Sequence, residues 1–146
     1  MQPRVVAGLP DKAAAVAIGI TFGCTRLEGG DVYCWGDNSS GQLGDGTTTP
    51  RTAPVRVKGL NDAAIALSVG GQSACALLAT GDVRCWGSNT SAQLGDPTKT
   101  QHPTPISVPA ARNATAISVG VGFACAGFMD GTVKCWGAPP LGVTAL

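Results

Sequence analysis

The tripeptide Cys-Trp-Gly occurs three times, at Cys34-Trp35-Gly36, Cys85-Trp86-Gly87 and Cys135-Trp136-Gly137, with spacings of 51 and 50 residues. A second cysteine stands ten residues ahead of each, at Cys24, Cys75 and Cys125. The same offsets align Gly19 with Gly70 and Gly120, and Gly30 with Gly81 and Gly131. Pro3, Pro54 and Pro105 recur likewise, and Gly41-Gln42-Leu43-Gly44-Asp45 matches Ala92-Gln93-Leu94-Gly95-Asp96. Self-similarity at a fixed period describes a supersecondary unit that buries its apolar face only by stacking on its neighbours. The chain is therefore expected to be one repeat domain over 1–146, with units at about 3–49, 50–100 and 101–146 that each open at the recurring proline.

Each unit reads as four short strands. The first follows the proline, at Val5-Val6, Val55-Arg56-Val57 and Ile106-Ser107-Val108. The second is the alternating run Val16-Ala17-Ile18, Leu67-Ser68-Val69 and Ile117-Ser118-Val119, whose period of two marks a half-buried strand. The third and fourth form a hairpin that carries the cysteines. A three-residue loop with its last residue a left-handed glycine gives Glu28-Gly29-Gly30, Ala79-Thr80-Gly81 and Met129-Asp130-Gly131. Counting outward then sets Leu77 opposite Val83, Ala76 opposite Arg84 and Cys75 opposite Cys85. Cys24 likewise faces Cys34, and Cys125 faces Cys135; a two-residue turn would set Cys75 against Trp86 instead.

This placement decides how the cysteines are read. Structural zinc sites use close cysteine spacings and four converging ligands, and redox centres favour Cys-x-x-Cys. Neither pattern is present, and His102 is the sole histidine. One disulfide per hairpin is the expectation, with reduced buried thiols as the remaining alternative. Each such bond closes a short loop and contributes about 2–3 kcal/mol in the chain-entropy picture. Three of them point to an oxidising compartment, so the chain is expected to be secreted or extracytoplasmic.

Composition narrows the partners. The net charge is +1 and only 13% of residues are charged, so no nucleic-acid footprint is indicated. No apolar run reaches the roughly 18 residues of a membrane span, and Val5 to Pro10 is too short for the apolar core of a secretory signal.

The unit resembles the repeat of the regulator of chromosome condensation superfamily. The residues that carry the likeness are Ser68-Val69-Gly70, Trp86-Gly87 and Ala92-Gln93-Leu94-Gly95-Asp96, with the run from Gly36-Asp37-Asn38 through Gly41-Gln42-Leu43-Gly44-Asp45-Gly46-Thr47 in the first unit. The resemblance implies an all-β propeller of four-stranded antiparallel blades, three of them in this chain. Nuclear members lack the cysteine pairing, so it points towards extracellular bacterial relatives. The third unit departs from the pattern: after Gly137 come Ala138-Pro139-Pro140-Leu141-Gly142, without the glutamine. Propellers close with about four to eight blades. The chain is thus expected to be part of a longer propeller or a protomer that completes a ring by homo-oligomerisation.

The remaining candidates read mainly as structure. Trp35, Trp86 and Trp136 recur at one blade position and are expected to pack between blades rather than stack on a sugar. Asp37-Asn38-Ser39 and Asp45-Gly46-Thr47 lack the acidic density of a calcium loop and read as turns, with Gln42 and Gln93 serving loop backbone groups. Asn38, Asn89 and Asn113 head glycosylation sequons. His102 shows no partnered acid, and Arg51, Arg56, Lys58 and Lys99 read as solvated charges. No catalytic, metal or cofactor residues emerge. The expected function is a non-enzymatic binding scaffold for a protein or cell-surface glycan. The alternatives are a self-assembling structural protein and a secreted enzyme-inhibiting propeller.

Overall fold

The structure is a computed structural model and describes residues 1–138. Strands β1 (Ala13–Ile18), β2 (Phe22–Leu27), β3 (Val32–Gly36) and β4 (Arg51–Arg56) form one antiparallel sheet in chain order. Strands β5 (Ala64–Gly70), β6 (Ser73–Leu78), β7 (Val83–Gly87) and β8 (His102–Ser107) form the second. Strands β9 (Ala116–Val119), β10 (Phe123–Gly127) and β11 (Val133–Gly137) form the third, three-stranded among the described residues. The shortened ending of the third unit lies outside the described residues from Pro139 onward.

The hairpin register follows the reading from the cysteines. Leu77 pairs with Val83, Ala76 with Arg84 and Cys75 with Cys85, and the other two hairpins pair Cys24 with Cys34 and Cys125 with Cys135. Gly81 has φ of 87° and donates its N–H to the Leu78 carbonyl at 2.9 Å, which closes the three-residue loop. The paired cysteines lie at disulfide distance, with Cα atoms 4.1, 4.1 and 4.0 Å apart.

The proline-led strand is placed differently from the expectation. Arg51–Arg56, which contains Pro54, pairs with β3 and ends the first sheet instead of opening the second. His102–Ser107, with Pro103 and Pro105, ends the second sheet in the same way, and Val5-Val6 is not in a strand. Proline, lacking an N–H, is tolerated on an edge strand, and the edge these strands take is the side of β3 or β7 away from its hairpin partner.

Alternation along the strands sorts side chains to opposite faces and stacks the sheets. Ala74, Ala76, Leu78 and Trp86 of the second sheet pack with Cys24, Val32, Cys34, Leu43 and Val57 of the first unit. On its other face, Cys75, Leu77, Val83 and Cys85 meet Ala124, Ala126 and the half-buried Ile117 and Trp136 of the third. Small alanines on one face let the next sheet approach, so the first two cysteine pairs are each covered by the sheet that follows. The faces at either end of the arc have no such cover among the described residues. Ile18 is 67% exposed, whereas its counterparts Val69 and Val119 are half-buried and buried, and Val133 is 66% exposed where Val32 and Val83 are buried.

Candidate protein-interaction surface

Strand direction places the turns 19–21, 70–72 and 120–122 at one rim of the arc, together with the long loops 37–50 and 88–101. Two buried asparagines brace these loops. Asn38 Oδ1 accepts the Leu43 N–H at 3.0 Å, while its Nδ2 donates to the carbonyls of Thr47 and Thr49, each at 3.0 Å. Asn89 repeats the pattern, accepting from Leu94 N–H at 3.0 Å and donating to the Asp96 carbonyl at 2.9 Å. Gln42 Oε1 accepts the Ser40 N–H and Gln93 Oε1 the Ser91 N–H, each at 2.8 Å. These amides turn the loop backbone in on itself and bury Leu43 and Leu94 beneath it, about 1.5–3 kcal/mol of apolar burial each.

Tryptophan locks each loop to the next sheet. Trp86 Nε1 donates to the Gln42 carbonyl at 2.9 Å, and Trp136 Nε1 donates to the Gln93 carbonyl at 2.8 Å. Trp86 is fully buried, as packing between blades requires, and Trp35 and Trp136 are half-buried. The sequence reading missed the indole–carbonyl bond. Its signal was present: a Gln-Leu-Gly loop in each of two units is followed by a tryptophan in the next. The outer strand of the second sheet adds a further tie, since Gly46 N–H donates to the Pro103 carbonyl at 3.0 Å. Gly41 lies against that strand with φ of 75°, and a Cβ there would sit 2.5 Å from Pro103 Cα.

Two charges taken as solvated, and the histidine taken as unpartnered, are paired. Arg51 Nε meets Asp45 Oδ2 at 3.2 Å, and His102 Nε2 meets Asp96 Oδ2 at 2.7 Å at the equivalent position of the second unit. Arg56 meets Asp31 at 2.8 Å on the opposite rim. These contacts join residues across loops or strands whose register the sequence left open. The aspartates also act as turn formers: Asp45 accepts from the Thr47 hydroxyl at 2.7 Å and Asp96 from the Thr98 hydroxyl at 2.6 Å. Burial would raise the Asp45 pKa, but bonds from Thr47 and Asn38 and the Arg51 charge together lower it.

Asp96 is lowered to about 2, chiefly by the Thr98 hydroxyl and then by His102. A depressed carboxyl contributes stability that is present above its unfolded value near 3.8 and is lost as pH falls through about 2. Followed by NMR, the Asp96 carboxyl is expected to titrate near 2 in the parent chain and at a higher pH in His102→Ala. An unchanged midpoint would remove the histidine from this account.

The sequons separate by burial. Asn38 and Asn89 are fully buried with their amides engaged, which leaves no access for a glycan in the folded chain, whereas Asn113 is exposed. Among the described residues no group of three or more His, Cys, Asp or Glu side chains is placed to hold a metal ion, and no helix is long and apolar enough to cross a membrane. Among the residues the rim presents outward are Ile20 and Val121, both strongly exposed, and the polar Thr90.

The model of the regulator of chromosome condensation (RCC1) repeat matches residues 29–77 and 80–126, and a second model of the same description matches 13–42 and 64–93. The chain belongs to the RCC1 repeat family. It is 46% identical to human Alsin over 66 residues, 44% of this chain and 4% of Alsin. Human WBSCR16 superposes with a TM-score of 0.85 at 21% identity, covering 95% of this chain and 37% of that one. Prp20p of Saccharomyces cerevisiae, described by its binding to Gsp1p and histones, superposes at 0.74 with 18% identity, covering 86% and 33%. The chain thus spans a small part of Alsin and about a third of the two structures, and the latter likenesses show the RCC1 propeller fold.

Proposed function

We propose that this chain is a non-enzymatic, extracytoplasmic RCC1-type propeller module whose long-loop rim binds a protein partner. The observation that carries the reading is the bracing of that rim. Buried Asn38, Asn89, Gln42 and Gln93 fix the long-loop backbone, which carries Thr90, while Gly19 N–H to the Phe22 carbonyl at 2.9 Å and Gly120 N–H to the Phe123 carbonyl at 2.8 Å close the turns that hold Ile20 and Val121 outward. Loops held by a rigid scaffold are where binding residues concentrate. The binding of Gsp1p and histones described for Prp20p supports a protein as the partner class. A glycan is less well served, since Trp86 is fully buried and offers no stacking platform on the rim. The three cysteine pairs at disulfide distance support the oxidising compartment, and with it a secreted bacterial type.

The test is capture from the secreted fraction of the source cell with the full chain and with an Ile20→Asp/Val121→Asp double variant. A partner held by the first and lost by the second supports the rim. Equal capture by both would sink it.

The uncovered end faces favour a second reading, in which blades complete a ring by self-association or within a longer chain. Sheet-on-sheet burial is satisfied twice inside the arc, and Val16 and Ile18 present at its start what Leu67 and Val69 bury further along. A native mass that is a multiple of 14.6 kDa at micromolar concentration supports self-association, and a monomer excludes it.

A further inference from the structure

In the first unit the Asp37 carboxylate sits in a cradle of neutral donors. The Thr21 and Ser39 hydroxyls donate to Oδ2 at 3.3 and 2.9 Å, and Gln42 Nε2 donates to the same oxygen at 3.0 Å. The Ser39 N–H donates to Oδ1 at 3.1 Å. The cradle favours the ionised acid: the Ser39 N–H first, with the Ser39 hydroxyl and Gln42 amide, draws the Asp37 pKa below its ordinary value against the opposing effect of burial.

An offset of 51 residues carries this set onto Gln72, Ser88, Thr90 and Gln93. The donor-bearing residues persist in the second unit: an amide stands for the Thr21 hydroxyl, Thr90 for Ser39, and Gln93 for Gln42. The acid does not, because Ser88 replaces Asp37. Gln93 keeps half of its role, with Oε1 accepting the Ser91 N–H at 2.8 Å. Its Nε2 has no partner among the described residues, although Gln93 is only 4% exposed. Gln93 lines an open groove, and its amide N–H groups make no hydrogen bond among the described residues, so they stand ready for an acceptor brought in from outside.

The same residues line one groove. Gln72, Ser88, Thr90 and Gln93 face a cavity of about 290 Å³, walled on its flanks by Ile20 and Val121. Among the described residues no charged side chain lines it.

We propose that this groove binds a carboxylate, that of an acidic side chain in a partner peptide, in the position that the Asp37 carboxylate occupies in the first unit. The choice of ligand follows from the donors. Gln72 and Gln93 carry amide N–H groups and Ser88 and Thr90 carry hydroxyls along one groove, with Gln72 Oε1 already accepting from the Ser40 hydroxyl, and an acceptor-only carboxylate matches that donor set better than an asparagine amide with N–H groups of its own. A phosphate is disfavoured, because its recognition typically draws on arginine or lysine and the groove has neither. The aliphatic flanks suit apolar residues beside the acid in a peptide. The proposal deepens the reading of the rim as a protein-binding surface and names the chemistry recognised there.

The test is an NMR titration of the full chain, labelled with ¹⁵N, using three probes: N-acetyl-aspartate methylamide, its asparagine counterpart, and acetate. The aspartyl probe is expected to shift the Gln93 side-chain NH₂ and the Thr90 amide, with the asparagine probe binding about tenfold more weakly or worse. Ser88→Asp should fill the cradle with the chain's own acid and abolish the response. Gln93→Glu should abolish it too, by removing the donor while keeping the acceptor for Ser91. Acetate binding as tightly as the aspartyl probe would support the cradle with small carboxylates as its source, and weaker acetate binding supports the peptide. Silence at Gln93 and Thr90, equal responses to the aspartyl and asparagine probes, or a response retained in both variants would overturn the proposal. Partner capture that still depends on Ile20 and Val121 would then leave the rim standing without the cradle.

Discussion

Trp86→Ala is expected to lower the stability of the chain by about 3–5 kcal/mol, the range for removing a large buried aromatic. Trp86 is fully buried between the first and second sheets, and its indole N–H is the donor that satisfies the Gln42 carbonyl. The truncation therefore opens a cavity and strands a buried acceptor together. Trp86→Phe separates the two effects: it keeps most of the ring volume and leaves the carbonyl unpaired, which costs about 1–3 kcal/mol. Trp35→Ala serves as the internal control. Trp35 holds the same place in its unit but is half-buried and donates to no loop among the described residues. Urea unfolding under oxidising conditions reads all three, as shifts of midpoint at constant slope. Equal losses for Trp35→Ala and Trp86→Ala would mean that the blade-to-blade contact is not what holds the arc.

The second large effect concerns the cysteine pairs. All three close loops of the same sequence separation, 10 residues, so the constraint each places on the unfolded chain is alike, about 2–3 kcal/mol. They differ in cover. Cys24–Cys34 and Cys75–Cys85 are buried beneath the following sheet, and Cys125–Cys135 is half-buried on the last face. Replacing Cys75 and Cys85 by alanine should thus cost more than the same change at Cys125 and Cys135, because buried sulfur packing is lost as well as the loop constraint. Dithiothreitol applied to the folded chain should open Cys125–Cys135 first, with access setting the order. Timed alkylation followed by peptide mass spectrometry gives that order. Simultaneous labelling of all six cysteines would mean that reduction proceeds through global unfolding rather than from the exposed face. An intact mass that does not change on reduction would show the thiols free from the outset, and the case for an oxidising compartment would go with it.

Local chemistry made some of this legible and non-local pairing hid the rest. The hairpins could be read to the residue because the cysteines test the turn length independently: a three-residue loop brings Cys75 opposite Cys85, where a two-residue turn would set it against Trp86. Strand character is legible at Val55-Arg56-Val57 and Ile106-Ser107-Val108, but the strands start earlier, at Arg51 and His102, and belong to the preceding sheet rather than the following one. Proline reads as a boundary, and their partners lie across loops of more than a dozen residues, where no local signal fixes the register. The pairing of Asp96 with His102 was hidden for the same reason, since it exists only because the long loop folds back onto β8. The rim was partly readable: Gln42 and Gln93 were expected to serve loop backbone groups, and their Oε1 atoms do. The free amide of Gln93 was not legible, because Ser88 in place of Asp37 reads as ordinary turn variation until the loop geometry brings Gln93 to the groove.

The indole bonds all run the same way round the arc, from the sheet that follows to the loop that precedes. The arc therefore has a sense, like a row of tiles in which each overlaps the one before. Damage to one blade is felt upstream: loss of its tryptophan frees the binding loop of its predecessor and leaves its own loop clamped by its successor. Hydrogen exchange should then spread backwards from a lesion, and the loops that a partner grips are the reporters on which that asymmetry is read.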